Sequence, residues 1–187
     1  MQAQTAVVSA PSLTGRRALA VLSGVALVAL GAQIAIPLPG TPVPMTLQPL
    51  AVLLVGGMLG PGLGAASLLV YLALGAAGLP VFTPYGLPGV VRLFGPTGGY
   101  LLAYPIAAYA VGRLVADGRR WTRITLAVLA GLALIHLGGL AQLAILTGDV
   151  SRAAQFATFP FLLGDLLKIA ILVPVLTKLT PSIRARL

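Results

Sequence analysis

The sequence contains no cysteine and very little charge. Without cysteine there is neither a disulfide framework nor a thiolate metal site. A single histidine leaves a zinc or haem centre without its usual ligands. Only three side chains are acidic, Asp117, Asp149 and Asp165. The chain therefore has no carboxylate cluster and no Ser-His-Asp set, and neither catalytic residues, nor a metal site, nor a cofactor are expected of it. No Gly-Lys pair occurs anywhere, which excludes the phosphate-binding loop of an ATPase. If transport by this chain consumes ATP, another subunit must hydrolyse it.

What the sequence has in abundance is apolar length. Of 187 residues, 58% are hydrophobic and 8% are charged, whereas soluble domains carry roughly 25% charged residues. The mean hydropathy is +1.03. A helix crossing a hydrocarbon core of roughly 30 Å needs about 20 residues. Apolar stretches at 18–36, 46–58, 63–79, 99–115, 124–146 and 159–179 predict an all-α integral membrane bundle of six transmembrane helices. The second and third are short and are separated by Gly60-Pro61-Gly62. Between Pro80 and Gly99 the chain is dense in proline, glycine and aromatics. Such irregular backbone survives at membrane depth only where protein or a wet cavity satisfies it.

The net charge of +9 does not point to nucleic acid, because the cations sit at the ends of apolar spans. Arg16 and Arg17 flank the first, Arg113, Arg119, Arg120 and Arg123 join the fourth to the fifth, and Lys178, Arg184 and Arg186 end the last. The opposite side has Arg92, Arg152 and Lys168. This asymmetry predicts cytoplasmic N- and C-termini in a multi-pass protein of the cell's inner (plasma) membrane. The expected organisation is a cytoplasmic tail over 1–17, a transmembrane domain over 18–180 and a second tail over 181–187. A cleaved twin-arginine signal, which Arg16-Arg17 resembles, would leave an odd number of spans and spoil the charge balance.

The chemically informative segment is Leu163-Gly164-Asp165-Leu166-Leu167-Lys168. Asp165 and Lys168 share a helix face, and each costs about 2.5–3.5 kcal/mol in a membrane helix on the mildest insertion scale. Two readings are open: an ion pair that only neutralises itself, or a polar floor for a ligand with both donors and acidic or carbonyl oxygens. Arg92 lies in the irregular segment, beside Gly95-Pro96-Thr97-Gly98-Gly99-Tyr100. The glycines there permit close backbone approach, and the helix start favours anions. Tyr71, Phe82, Tyr85 and Phe94 are candidate apolar walls or interface anchors. Gln48 is either an interhelical hydrogen bond or a ligand contact. His136, mid-span, reads as an interhelical partner and is not placed in the site. Ala20-x-x-x-Gly24 allows close helix approach.

Five segments occur in a familiar order: Ile36-Pro37-Leu38-Pro39, Pro42-Val43-Pro44-Met45-Thr46-Leu47-Gln48, Gly75-Ala76-Ala77-Gly78-Leu79-Pro80-Val81-Phe82, Gly95-Pro96-Thr97-Gly98-Gly99-Tyr100 and Gly164-Asp165-Leu166-Leu167-Lys168. In these the chain resembles the BioY family, the biotin-specific substrate-binding (S) subunits of energy-coupling-factor (ECF) transporters. The resemblance implies capture of biotin near the extracellular face, with Asp165, Lys168 and Arg92 in the site. It implies partners too: a transmembrane coupling subunit and two ATPases. The alternatives are a subunit for another vitamin and a ligand-free structural membrane subunit.

Overall fold

The structure, a computed structural model, describes residues 12–116 and 120–187. Asp117 and Arg119 of the basic loop, and residues 1–11 of the tail expected over 1–17, lie outside the described residues. Helix α1 spans Leu13–Gln33, so residues 13–17 are already helical; Ser12 caps it, its hydroxyl accepting from the Gly15 N–H at 3.2 Å. The remaining helices are α2, Gln48–Ala76; α3, Gly98–Val115; α4, Trp121–Thr147; α5, Val150–Ala157; and α6, Leu162–Arg184. Residues 181–184 of the expected second tail therefore continue α6. A two-residue antiparallel pairing, Ala35–Ile36 with Met45–Thr46, ties the α1–α2 loop into a hairpin.

α2 is one element by its hydrogen bonds but two arms in space. Gly60 has φ +85° and ψ 176°, a conformation open to glycine and costly for any other residue, and Pro61 opens the returning arm. The Gln48 amide donates to the Tyr71 hydroxyl at 2.6 Å, although 23 residues of continuous helix would hold them about 35 Å apart. The two short apolar stretches expected at 46–58 and 63–79 are these arms. With α1, α3, α4 and α6 they make an all-α bundle of six long arms. The sequence reading missed α5. It starts at Asp149, whose Oδ1 accepts from the Ser151 and Arg152 N–H groups at 2.8 and 3.2 Å, and it buries Ala153 and Ala157.

Among the described residues four stretches are long and apolar enough to cross a membrane: Leu13–Gln33, Gln48–Ala76, Trp121–Thr147 and Val150–Arg184. α6 shows how the surface is organised. Leu163, Leu166 and Leu167 are 80%, 64% and 64% exposed, while Asp165 and Lys168 are 6% and 5% exposed. Leucines out and charges in is the pattern of a helix whose outer solvent is hydrocarbon.

α3 lies at the centre, packed against α2 and α4, and glycine permits the approach. A Cβ on Gly56 would lie 2.7 Å from the Ala108 Cα, and one on Gly99 would lie 2.0 Å from the Gly138 carbonyl oxygen. At the other end of α3, the Arg184 guanidinium donates to the carbonyls of Gly57 at 2.7 Å and Gly112 at 2.9 Å, and to that of Ala116. It fastens the end of α6 to the turn of α2 and the last turn of α3. The Arg17 Nε reaches the Leu187 carbonyl at 3.4 Å. The start of α1 and the end of α6 therefore share one end of the bundle.

Candidate ligand-binding site

Toward the opposite end lies a cavity of about 590 Å³, its open mouth included. Its walls come from the α1–α2 hairpin loop (Val43, Pro44, Thr46), the start of α2 (Gln48, Pro49), the α2–α3 connection (Phe82, Thr83, Arg92, Thr97), α3 (Tyr100, Leu101, Tyr104), α4 (Leu132, Ile135, His136) and the last segment (Phe161, Asp165, Lys168). Most of this lining is apolar or aromatic, with a few convergent polar groups.

Those polar groups are tightly organised. Asp165 stands in the first turn of α6, where the helix dipole favours a carboxylate. Its Oδ1 accepts from the Lys168 ammonium at 2.8 Å, and its Oδ2 lies 2.5 Å from His136 Nε2. The other ring nitrogen, Nδ1, is 3.1 Å from the Ala157 carbonyl oxygen, which also accepts from the Tyr100 hydroxyl at 2.6 Å. The pair read from the sequence is thus a triad drawn from α4 and α6. Two of the Asp165 lone-pair positions are occupied, and Lys168 uses one of its three N–H groups on Asp165.

Arg92, only 6% exposed, is gripped by its own connection. Its Nε donates to the Leu87 carbonyl at 2.8 Å, Nη1 to the Thr83 hydroxyl at 2.9 Å and to the Tyr85 carbonyl, and Nη2 to the Thr83 carbonyl at 2.8 Å. Four of the five guanidinium N–H groups shape the segment over 83–87, where Gly86 turns at φ +100°. Burial pulls the guanidinium pKa below its ordinary value, while nearby Tyr71 acts the other way; arginine nevertheless stays charged in proteins. A lysine offers a point charge without the fork. Arg92→Lys is expected to weaken ligand binding about tenfold or more, as equilibrium binding to the purified variant will measure.

Of the residues read from the sequence, the structure brings Asp165, Lys168, Arg92, Phe82 and Gln48 to the cavity. Tyr71 stands behind the wall. It is fully buried, its ring meets that of Phe82 edge-on at 5.4 Å, and its hydroxyl donates to the Val81 carbonyl at 3.1 Å. Of the two roles the sequence left open for Gln48, the structure shows the hydrogen bond, to Tyr71 on the other arm of α2, and it also places Gln48 in the cavity wall. Tyr85 and Phe94, expected as candidate walls, are 47% and 72% exposed and line no part of the cavity. The arginine grip turns the Tyr85 backbone inward and leaves its ring outside. Tyr85→Ala and Phe94→Ala are accordingly expected to leave ligand affinity within about threefold of wild type, as titration of each variant will show.

The glycines at the start of α3 serve packing. Gly98 fits against the Leu93 carbonyl and Gly99 against Gly138, which sets Tyr100 over Gly139 and beside His136. Sequence reasoning missed His136, Tyr100, Tyr104, Thr83 and the hairpin-loop residues as lining. A lone histidine within an apolar run was the one available signal. Among the described residues no group of three or more His, Cys, Asp or Glu could hold a metal ion.

Comparison with known proteins bears on the family and the fold. Residues 3–185 match the BioY family. The chain is 42% identical over 146 residues to the "Probable biotin transporter BioY" of Pyrococcus horikoshii, covering 78% of this chain and 85% of that one. It is 36% identical over 146 residues to the "Biotin transporter BioY" of Thermotoga maritima, with the same 78% and 85% coverage. A crystal structure of the S-component for biotin from an ECF-type ABC transporter superposes with a TM-score of 0.79 at 26% identity, covering 91% of this chain and 94% of that one. With its fold shared over almost the whole chain and its sequence matched from end to end of the bundle, this chain belongs to the BioY family.

Proposed function

We propose that the chain is the substrate-binding subunit of a vitamin uptake transporter and that its ligand is biotin. The observation that carries this reading is the enclosed charge cluster: Asp165, Lys168 and His136 face an apolar-walled cavity together with Arg92. Biotin has a ureido ring with two N–H donors and a carbonyl, an apolar sulfur ring and valeryl chain, and a carboxylate. The remaining lone pairs of Asp165 suit a ureido N–H. Lys168 and Arg92 suit the ureido or carboxylate oxygens. Phe82, Tyr104 and Phe161 cover the apolar body.

The end of the bundle that holds Arg184 and the turn of α2 also carries Arg113, Arg120, Arg123 and Lys178. In this reading it faces the cytoplasm with both termini, and the cavity opens to the outside of the plasma membrane. With no phosphate-binding loop of its own, the chain delivers biotin with an ECF transmembrane coupling subunit and two ATPase subunits, and performs no catalysis itself.

The test is mass spectrometry of small molecules released from the purified protein, followed by competition among biotin, thiamine and riboflavin. Release of biotin and displacement by biotin alone are expected. Another vitamin in its place, or no saturable ligand, would overturn the assignment. Uptake of labelled biotin with and without the coupling subunits then measures what those partners add.

A further inference from the structure

Both nitrogens of the His136 ring face hydrogen-bond acceptors. The Ala157 carbonyl oxygen at 3.1 Å from Nδ1 can only accept, so Nδ1 carries a hydrogen. A neutral imidazole would then turn the bare lone pair of Nε2 toward Asp165 Oδ2, only 2.5 Å away. Two acceptors cannot rest at that separation without a proton between them. The surroundings decide which partner holds it. Asp165 also receives the Lys168 ammonium at 2.8 Å and stands in the first turn of α6, both of which favour the carboxylate. Ala157 is the last residue of α5, and a cation is favoured at a helix C-terminus. The other groups packed on the ring are Tyr100 of α3 and Phe161, at centroid distances of 6.3 and 6.2 Å, and neither offers Nε2 a proton.

We infer that His136 is held as an imidazolium and acts as a positioning residue, fixing the Asp165 carboxylate between two cations so that its free lone pairs and the free N–H groups of Lys168 face the cavity. The floor of the site is then one carboxylate against two cations, with Arg92 on the same cavity. That balance favours a ligand bearing a negative charge. This inference rests on the ligand-binding reading above, but the protonation state is a property of the empty protein and is measurable without any ligand.

The chain has a single histidine, so protein labelled with 15N-histidine gives one pair of ring-nitrogen resonances with no assignment problem. At about pH 7.5 an unperturbed imidazole is mostly neutral. Here both ring nitrogens are expected to show one-bond couplings to hydrogen at that pH. One protonated and one bare nitrogen would overturn the inference. For the functional consequence, His136→Gln keeps a neutral donor near Asp165 and removes the charge. Its affinity for biotin is expected to fall about tenfold, and more than its affinity for biotinamide, which lacks the anionic carboxylate. Equal losses for the two ligands, or wild-type binding of both, would refute the positioning role. Failure of the wild-type protein to bind biotin would instead count against the assigned ligand and leave the nitrogen measurement standing as its own test.

Discussion

Asp165→Asn is expected to lower biotin affinity by a hundredfold or more. The amide cannot neutralise anything, and it replaces an acceptor-only group with one that must donate from one side. Lys168 and His136 would then face each other across an uncharged residue, both shielded from water. Truncating one partner of a buried, hydrogen-bonded charge set costs about 2–5 kcal/mol, and about 2.8 kcal/mol is a factor of a hundred. Part of that cost also falls on the empty protein, so the thermal midpoint should drop as well. Asp165→Glu retains the charge but lengthens the arm, and should bind better than the asparagine variant. Titration of labelled biotin into each purified variant, with a melting curve to establish folding, gives both numbers. Wild-type affinity in a folded Asp165→Asn protein would remove the carboxylate from the site.

The second large effect is expected at a residue with no side chain. On Gly99 of α3 an added Cβ would lie 2.0 Å from the Gly138 carbonyl oxygen and 2.6 Å from the Gln142 Cβ. Overpacking where side chains can yield costs about 1–3 kcal/mol. Here the opposing atom is backbone, so Gly99→Ala should sit at the upper end or beyond. About 3 kcal/mol corresponds to a fall of roughly 6–12 °C in the thermal midpoint for a chain of this size. Binding should suffer with stability, because Gly99 sets Tyr100, whose hydroxyl shares the Ala157 carbonyl with His136. Gly62 supplies the control. A Cβ there meets nothing within 4 Å, so Gly62→Ala should melt close to wild type. Equal midpoints for the two alanine variants would mean that α3 and α4 do not meet as described.

How much of this was readable beforehand depends on which physical signal each part sends. Membrane helices announce themselves by length and hydropathy. The Gly60-Pro61-Gly62 break separated the two arms of α2 even though each arm is short. The pair Asp165 and Lys168 stood out because charge is costly in lipid, and their spacing alone placed them on one face. α5 sent almost nothing, since eight residues of mixed polarity between two spans look like loop. His136 was visible as a residue but not as a partner of Asp165, because 29 positions separate them and only the packing of α4 on α6 closes that distance. Gly98 and Gly99 were read as permitting close backbone approach, but Gly138 as the partner of Gly99 was lost for a similar reason. In a chain with 23 glycines, nothing local marks the few on which two backbones meet. Tyr85 and Phe94 were drawn in by composition, although an aromatic ring in an irregular segment can as readily point outward.

The central claim is that the chamber floored by Asp165, His136 and Lys168 holds biotin, and determining the structure of the purified protein with biotin bound tests it most directly. The expected result is ligand density inside the bundle between the α1–α2 hairpin loop and the start of α6, with a polar atom of biotin within hydrogen-bond distance of Asp165 or Lys168. Biotin seated elsewhere on the bundle, with that chamber empty, would contradict it.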